Sequence, residues 1–192
     1  NWEVLSGEGN ILQAIVDEPE GMSAWELGLK DKFWNIGEKG ASIEVIEQGP
    51  VRGIIRIKNS FRNSSFQQDI ILYHKVARLD FELQLDWQER NLMIKASFPV
   101  NVKNETAYFE IPFGFVSRTA EGTEVPALKW VDFSDSSGDY GLSLLNDSKY
   151  GFDVKGNTMR ISVIHGATYP DPEADRGRQM LIYSLYPHKG TW

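Results

Sequence analysis

The sequence predicts an all-β protein built as a β-sandwich, and three observations carry that prediction. Leu79, Phe81, Leu83, Leu85 and Trp87 alternate with Asp80, Glu82, Gln84 and Asp86. Successive strand side chains point to opposite faces, so this run makes one apolar and one polar face, whereas a helix would scatter the five apolar residues around its axis. Short apolar runs are separated by turn chemistry, as at Gly49-Pro50 and Lys155-Gly156-Asn157. No segment sustains a helical stripe. Many short strands with frequent turn signals are the pattern of a sandwich.

Taken in order, the first strand is expected over 11–17. The aromatic-rich stretch 22–33 reads as an irregular connection, because Gly28 and the spacing of Trp25, Leu27 and Leu29 fit no helix face. Strands follow over 41–48 and 51–58, joined as a tight hairpin at Gly49-Pro50, and then over 66–74 and 78–87. The runs 92–98 and 106–111 are the next two, and 142–145, 158–164 and 179–186 complete the set. Lys155-Gly156-Asn157 supplies a positive backbone angle before Thr158. Residues 119–123 and the acidic, glycine-containing stretch 132–139 read as loops. The whole of 1–192 is expected to form a single domain.

Composition narrows the partners. Of the 192 residues, 41% are hydrophobic and 24% charged, the balance of a globular protein. The net charge of -7 argues against nucleic acid, whose phosphates need clustered cations, and against anionic membranes. No apolar run approaches the roughly 18 residues that span a bilayer. Cysteine is absent, which excludes disulfides, thiolate catalysis and cysteine zinc sites and fits a cytoplasmic chain. The sequence begins at Asn1 and not at Met, as a fragment or a processed product of a longer protein would. Three triplets beginning at Asn63, Asn104 and Asn146 match the glycosylation pattern, but such triplets arise often by chance.

Several motifs carry possible chemistry, each with a plainer reading beside it. Asp86-Trp87-Gln88-Glu89-Arg90 places two carboxylates beside an aromatic ring. They would serve as acid and base on a glycosidic bond, or, as we favour, finish a strand, with Trp87 in the buried row and the carboxylates binding backbone or Arg90. Pro112 should end or bulge its strand, and Gly114 should supply an angle closed to other residues. That break would aim Glu110 and Arg118 at a sugar, or leave them as a local ion pair, the reading we favour. The loop Tyr169-Pro170-Asp171-Pro172-Glu173-Ala174-Asp175-Arg176-Gly177 fits a calcium loop poorly. It is expected to dock on a neighbouring domain or to cap a strand through Asp175 and Arg176. His74, His165 and His188 show no zinc spacing. His165 stands at a strand end, where functional residues are displayed, although a lone histidine is more often structural. No Gly-x-Ser-x-Gly elbow is present, and Gly7-x-Gly9 lacks its third glycine.

An ordered series of these residues resembles the C-terminal β-domain of glycoside hydrolase family 38, the α-mannosidases. The series runs through Arg78-Leu79-Asp80-Phe81, Asp86 to Arg90, Lys95-Ala96-Ser97-Phe98-Pro99 and Glu110 to Gly114 with Arg118. It continues through Pro126, Trp130, Leu145 to Gly151, the loop from Tyr169 to Gly177, and Tyr186-Pro187-His188-Lys189-Gly190-Thr191-Trp192. The resemblance implies a large antiparallel β-sandwich of the supersandwich, galactose-mutarotase-like type. It implies a parent enzyme that cleaves terminal α-mannose with retention, through a glycosyl intermediate on an Asp and a second carboxylate as acid/base. It also implies a zinc ion that holds sugar hydroxyls. Nothing in this sequence matches the nucleophile motif or the zinc set, which the resemblance assigns to an N-terminal α/β domain and the helical segment after it. Relatives often carry Arg at the position of His165.

The expected function is therefore that of a non-catalytic β-domain which completes and supports the cleft of a catalytic α/β domain in the same parent chain. The residues expected to reach a mannose-containing glycan are Glu110, Arg118, His165, Asp171, Asp175 and Arg176, with no catalytic residue or metal ligand among them. Trp87, Tyr108, Trp130 and Tyr169 are expected on a face buried against the missing domain, leaving an apolar patch on this chain. Two alternatives stand beside this. One is a stand-alone module that binds mannose-containing glycans. The other is a self-sufficient glycosidase, which needs two carboxylates about 5–9 Å apart, with Glu110 and either Asp171 or Asp175 as the pair.

Overall fold

Alternating apolar residues bury one face of a strand, and two such sheets must cover each other to form a core. The computed structural model, which describes residues 3–38 and 40–192, shows that arrangement and contains no helix among those residues. In chain order the strands are β1 (Ile11–Asp17), β2 (Leu29–Asn35), β3 (Ser42–Gln48), β4 (Arg52–Phe61), β5 (Ser64–Tyr73), β6 (Leu79–Trp87), β7 (Leu92–Pro99) and β8 (Thr106–Ile111). They continue as β9 (Gly114–Thr119), β10 (Val125–Pro126), β11 (Trp130–Ser134), β12 (Tyr140–Asn146), β13 (Gly151–Lys155), β14 (Thr158–Ile164) and β15 (Gly177–Lys189). A six-stranded sheet has the order β10-β13-β14-β7-β1-β2, and a nine-stranded sheet the order β3-β4-β5-β6-β15-β12-β11-β8-β9. Every strand pairing is antiparallel.

The two inner faces meet through aromatic rings. Phe81 and Tyr183 of the large sheet stack at 5.1 Å, and Phe98 of the small sheet lies 5.6 Å from Phe81. Trp87, Phe109, Phe133 and Phe152 are also fully buried. A buried phenol needs partners, because an unpaired hydroxyl in an apolar interior costs about 1–3 kcal/mol. Tyr183 donates to Asn10 Oδ1 at 2.7 Å and accepts from Gln68 Nε2 at 2.5 Å. Trp87 ends the alternating row as expected, and its Nε1 has no hydrogen-bond partner among the described residues.

Both faces of β7 are buried, not one. Its inner row, Leu92, Ile94, Ala96 and Phe98, joins the core, and its outer row carries Met93, Lys95 and Ser97. Lys95 is 1% exposed. A bare ammonium there would be costly, and Glu124 and Asp153 both contact its Nζ.

The structure corrects several expectations. Residues 29–35 are a strand and not an irregular connection. β2 is an edge strand exposed over much of its length, so it carries no clean alternation to read. Gly28 serves the approach to it, since a Cβ there would lie 2.2 Å from the Glu18 carbonyl carbon. The stretch 132–139 is not all loop, because its first three residues belong to β11, where Asp132 is fully buried. Residues 112–114 make a hairpin turn between β8 and β9, closed by the Ile111–Gly114 pair. The left-handed residue in that turn is Phe113, with φ of 66°, and not Gly114. Gly156 has φ of 58° in the expected β13–β14 turn. The hairpin near Gly49 is closed by Gly49 N donating to Arg52 O at 3.0 Å, which puts Pro50-Val51 at its tip.

Candidate functional site

β14 carries the first piece of the site. Its register against β7 shifts between Ser162 and Ile164, and such bulges re-aim the residues that follow. The next residue is His165, whose Nε2 lies 2.6 Å from Asp17 Oδ2 at the end of β1. Asp17 is 2% exposed, and its Oδ1 accepts from Gly28 N at 2.6 Å. The histidine ring is thus oriented by a buried carboxylate that backbone holds from behind.

Gly166 makes this placement possible. Its φ is +70°, and a Cβ there would lie 2.4 Å from Leu92 O, so the chain passes at a distance that admits no side chain. Gly166 N donates to Asp175 Oδ2 at 2.9 Å, which ties the loop 169–177 back to the end of β14. Ser23 Oγ fixes the other side of the loop by accepting from Thr168 N at 2.9 Å and Tyr169 N at 2.8 Å.

These contacts hold His165 and Asp175 in the wall of a cleft of about 480 Å³, which also takes in Leu27, Met93, Glu124, Lys149, Tyr150 and Ser162. Burial pulls the Lys149 ammonium below the usual lysine range, opposed by the charges of Asp175 and Asp147. Beneath the cleft lies the network around Lys95. Arg160 Nε donates to Asp153 Oδ1 at 2.8 Å, and Ser162 Oγ donates to Glu124. Two cations, Lys95 and Arg160, balance two carboxylates, Glu124 and Asp153. The cleft therefore presents an oriented imidazole, a partly desolvated ammonium and a backbone-bound carboxylate. These are groups that bind and orient a polar ligand.

The six residues singled out in the sequence are distributed over four places. His165 and Asp175 line the cleft. Asp171 is exposed and accepts from Glu173 N at 2.9 Å, and Arg176 contacts Glu173 and donates to Gln88 Oε1 at 3.1 Å. Glu110 lies on the outer face of the large sheet, where it accepts from Lys129 N at 2.5 Å. Arg118 lies over the Phe109 ring, 4.8 Å from its centroid, with Nη1 buried and without a hydrogen-bond partner among the described residues. The expected Glu110–Arg118 ion pair does not form. Glu110 opposes Phe115 while Arg118 opposes Ala107, so the two side chains leave opposite faces of the sheet.

Of the two carboxylates expected to bind backbone or Arg90, Glu89 does bind backbone, accepting from Asn63 N at 2.8 Å, whereas Asp86 accepts from the Gln88 side chain at 2.5 Å. Arg90 binds Pro172 O at 3.1 Å and pairs with Glu173. The four aromatics expected on one face are divided, since Trp87 is in the core while Tyr108 and Trp130 pack against Trp192 on the outer face of the large sheet. Sequence reasoning missed Asp17, Lys149, Glu124 and the Lys95 network. The available signal was a charged residue inside an apolar strand, as with Lys95 in β7 and Asp153 in β13.

Among the described residues, no group of three or more His, Cys, Asp or Glu side chains is placed to hold a metal ion. The zinc that the resemblance implies does not fit these residues.

The family profile described as "Glycosyl hydrolases family 38 C-terminal domain" matches residues 1–173. "Alpha-mannosidase G" of Dictyostelium discoideum is 30% identical over 100% of this chain and 19% of its own length. "Alpha-mannosidase 2C1" of Mus musculus is 31% identical over 96% of this chain and 19% of its own length. The chain thus spans about a fifth of these relatives. A crystal structure of a glycosyl hydrolase family 38 protein from Enterococcus faecalis superposes with a TM-score of 0.80 at 15% identity, covering 95% of this chain and 26% of that one. That likeness shows the fold, an antiparallel sandwich shared with a longer protein. Profile, relatives and fold agree, and the chain belongs to glycosyl hydrolase family 38 as its C-terminal domain.

Proposed function

We propose that this chain is the non-catalytic β-domain of a retaining α-mannosidase and that its His165 cleft completes the sugar site of a catalytic domain elsewhere in the same protein. The observation that carries this reading is the His165–Asp17 couple. A buried aspartate, 2.6 Å from the ring and held by Gly28 N, orients an imidazole at an open cleft. Such an arrangement positions a side chain toward a ligand and leaves bond cleavage to other groups. On this reading the nucleophilic Asp, the acid/base carboxylate and the zinc belong to the catalytic domain.

The exposed aliphatics of the large sheet support a docked role. Ile43, Val45, Ile55 and Leu72 share the inner face of β3, β4 and β5, and each is more than 40% exposed. The small sheet ends at β2 and leaves them uncovered. Apolar surface of this kind marks an interface, and on this reading the rest of the mannosidase covers it.

Kinetics of the full-length protein test the proposal. His165→Ala is expected to lower kcat/KM on 4-nitrophenyl α-D-mannopyranoside by about tenfold to a hundredfold, as loss of a positioning contact does. Unchanged kinetics would remove the cleft from the sugar site. The isolated chain is expected to show no turnover with or without zinc. Turnover that Glu110→Gln or Asp171→Asn abolishes would make it a glycosidase in its own right.

A further inference from the structure

The outer face of the large sheet holds a second constellation, built from residues the cleft does not use. Strand register brings Ser117, Tyr108, Asp132, Ser143 and Tyr186 into one row across β9, β8, β11, β12 and β15. Ser134, Gly141 and His188 form the neighbouring row. Asp132 is fully buried although it lies on an outer face. Ser134 Oγ and Ser143 Oγ each donate to it at 2.6 Å, and His188 Nε2 lies 2.7 Å from its Oδ2.

This carboxylate fixes the His188 ring. Gly141 leaves the space for it, because a Cβ there would lie 2.6 Å from His188 Cε1. The His188 side chain is 10% exposed, and its Nδ1 has no hydrogen-bond partner among the described residues. The arrangement is not a catalytic triad, since both serines donate to the aspartate and neither meets the imidazole.

Aromatic rings wall the space beside it. Trp192 packs at 5.0 Å from Trp130, 4.3 Å from Phe115 and 5.7 Å from Tyr108, and Tyr186 stacks on His188. Trp192 and Tyr186 remain 47% and 40% exposed. With Ser143, Lys189 and Thr191 they line a cavity of about 530 Å³.

We infer that this cavity is a saccharide-binding site, separate from the His165 cleft. A pyranose ring offers an apolar C–H face and a rim of hydroxyls that both donate and accept. Trp192 and Tyr186 supply faces for the first. His188 Nδ1, the Lys189 ammonium and the hydroxyls of Ser143 and Thr191 supply partners for the second. A purely apolar peptide segment seated here would shut His188 Nδ1 away from water with no partner, which is the argument for a polyhydroxylated ligand over a hydrophobic one. The site rests on its own residues and stands whether or not the cleft contributes to catalysis.

Indole N–H resonances of the 192-residue chain, titrated with methyl α-D-mannopyranoside and with α-mannobiose, test the inference. Saturable shifts at Trp130 and Trp192 are expected, with a Kd of about 1 mM, as for one shallow site. Trp192→Ala and Tyr186→Ala are each expected to weaken binding about tenfold or more, with circular dichroism confirming the fold. Tyr186→Ala decides the matter if Trp192→Ala fails to fold. No shift of these indoles at saccharide concentrations up to about 50 mM would overturn the inference. So would binding that both variants retain, or shifts by the chain that vanish in the full-length protein because another segment occupies the groove.

Discussion

Removing Asp153 should destabilise the protein more than its single side chain suggests, because the change leaves charge behind in a dry place. Asp153 has a 0% exposed side chain and meets Lys95, 1% exposed, and Arg160, 21% exposed. At 2.8 Å and an effective dielectric of about 20, the Arg160–Asp153 attraction alone is about 6 kcal/mol before desolvation is subtracted. Desolvation of the ions offsets much of that, so the intact network adds little net stability. Breaking it is another matter. Asp153→Ala leaves two cations facing Glu124 alone, and such a loss costs about 3–5 kcal/mol. Arg160 reaches water, so the lower end applies, about 3 kcal/mol. For a chain of this size that lowers Tm by about 6–12 °C. Lys95→Met should cost a similar amount, because it leaves Glu124 without its cation and Asp153 with Arg160 alone. The double variant keeps one charge of each sign, Glu124 and Arg160. It should cost less than the sum of the singles by about 1.5 kcal/mol or more. Urea unfolding followed by circular dichroism gives all four free energies. A loss under about 1 kcal/mol for either single variant, or strict additivity, would refute the reasoning.

Two further outcomes follow from the cleft. Gly166→Ala should cost about 3 kcal/mol or more, since φ of +70° disfavours a Cβ and Leu92 O would stand 2.4 Å from it. A melting temperature within a few degrees of the parent's would contradict that contact. Lys149 has its pKa lowered mainly by burial, so the unfolded chain binds the proton more tightly than the folded one. Stability from this group should therefore rise with pH from its lowered value up to the ordinary lysine range, and Lys149→Met should flatten that rise in chemical unfolding measured across alkaline pH.

The strands with a clean period of two were legible from the start. Leu79 to Trp87 alternates because one face meets the core and the other meets water, and β1, β7, β8 and β14 lie close to where their apolar runs placed them. β2 and β11 were hidden for opposite reasons. β2 is an edge strand with little buried surface, so it has no strong pattern. β11 carries Asp132 and Ser134 among its buried residues, and the Asp132 carboxylate is met by Ser143 on the next strand and by His188 on β15, 56 positions away. A buried carboxylate looks like a loop residue until its donors are known.

The candidate site was only half legible. His165 stood out as a polar residue at a strand end, and Asp175 as part of a proline-rich loop. Their meeting depends on the bulge in β14 and the left-handed Gly166. Glu110 and Arg118, eight positions apart, suggested a pair, but strand register sends them to opposite faces of the sheet.

By itself the sequence determined the class of structure and the family, because both are written in local periodicity and in residue order along one chain. Only the tertiary structure decided which charged groups share a site. Asp17 reaches His165 across 148 positions, and Asp132 reaches His188 across 56. Such pairings depend on which strands neighbour one another and in what register, and a shift of a single residue would turn each side chain to the other face.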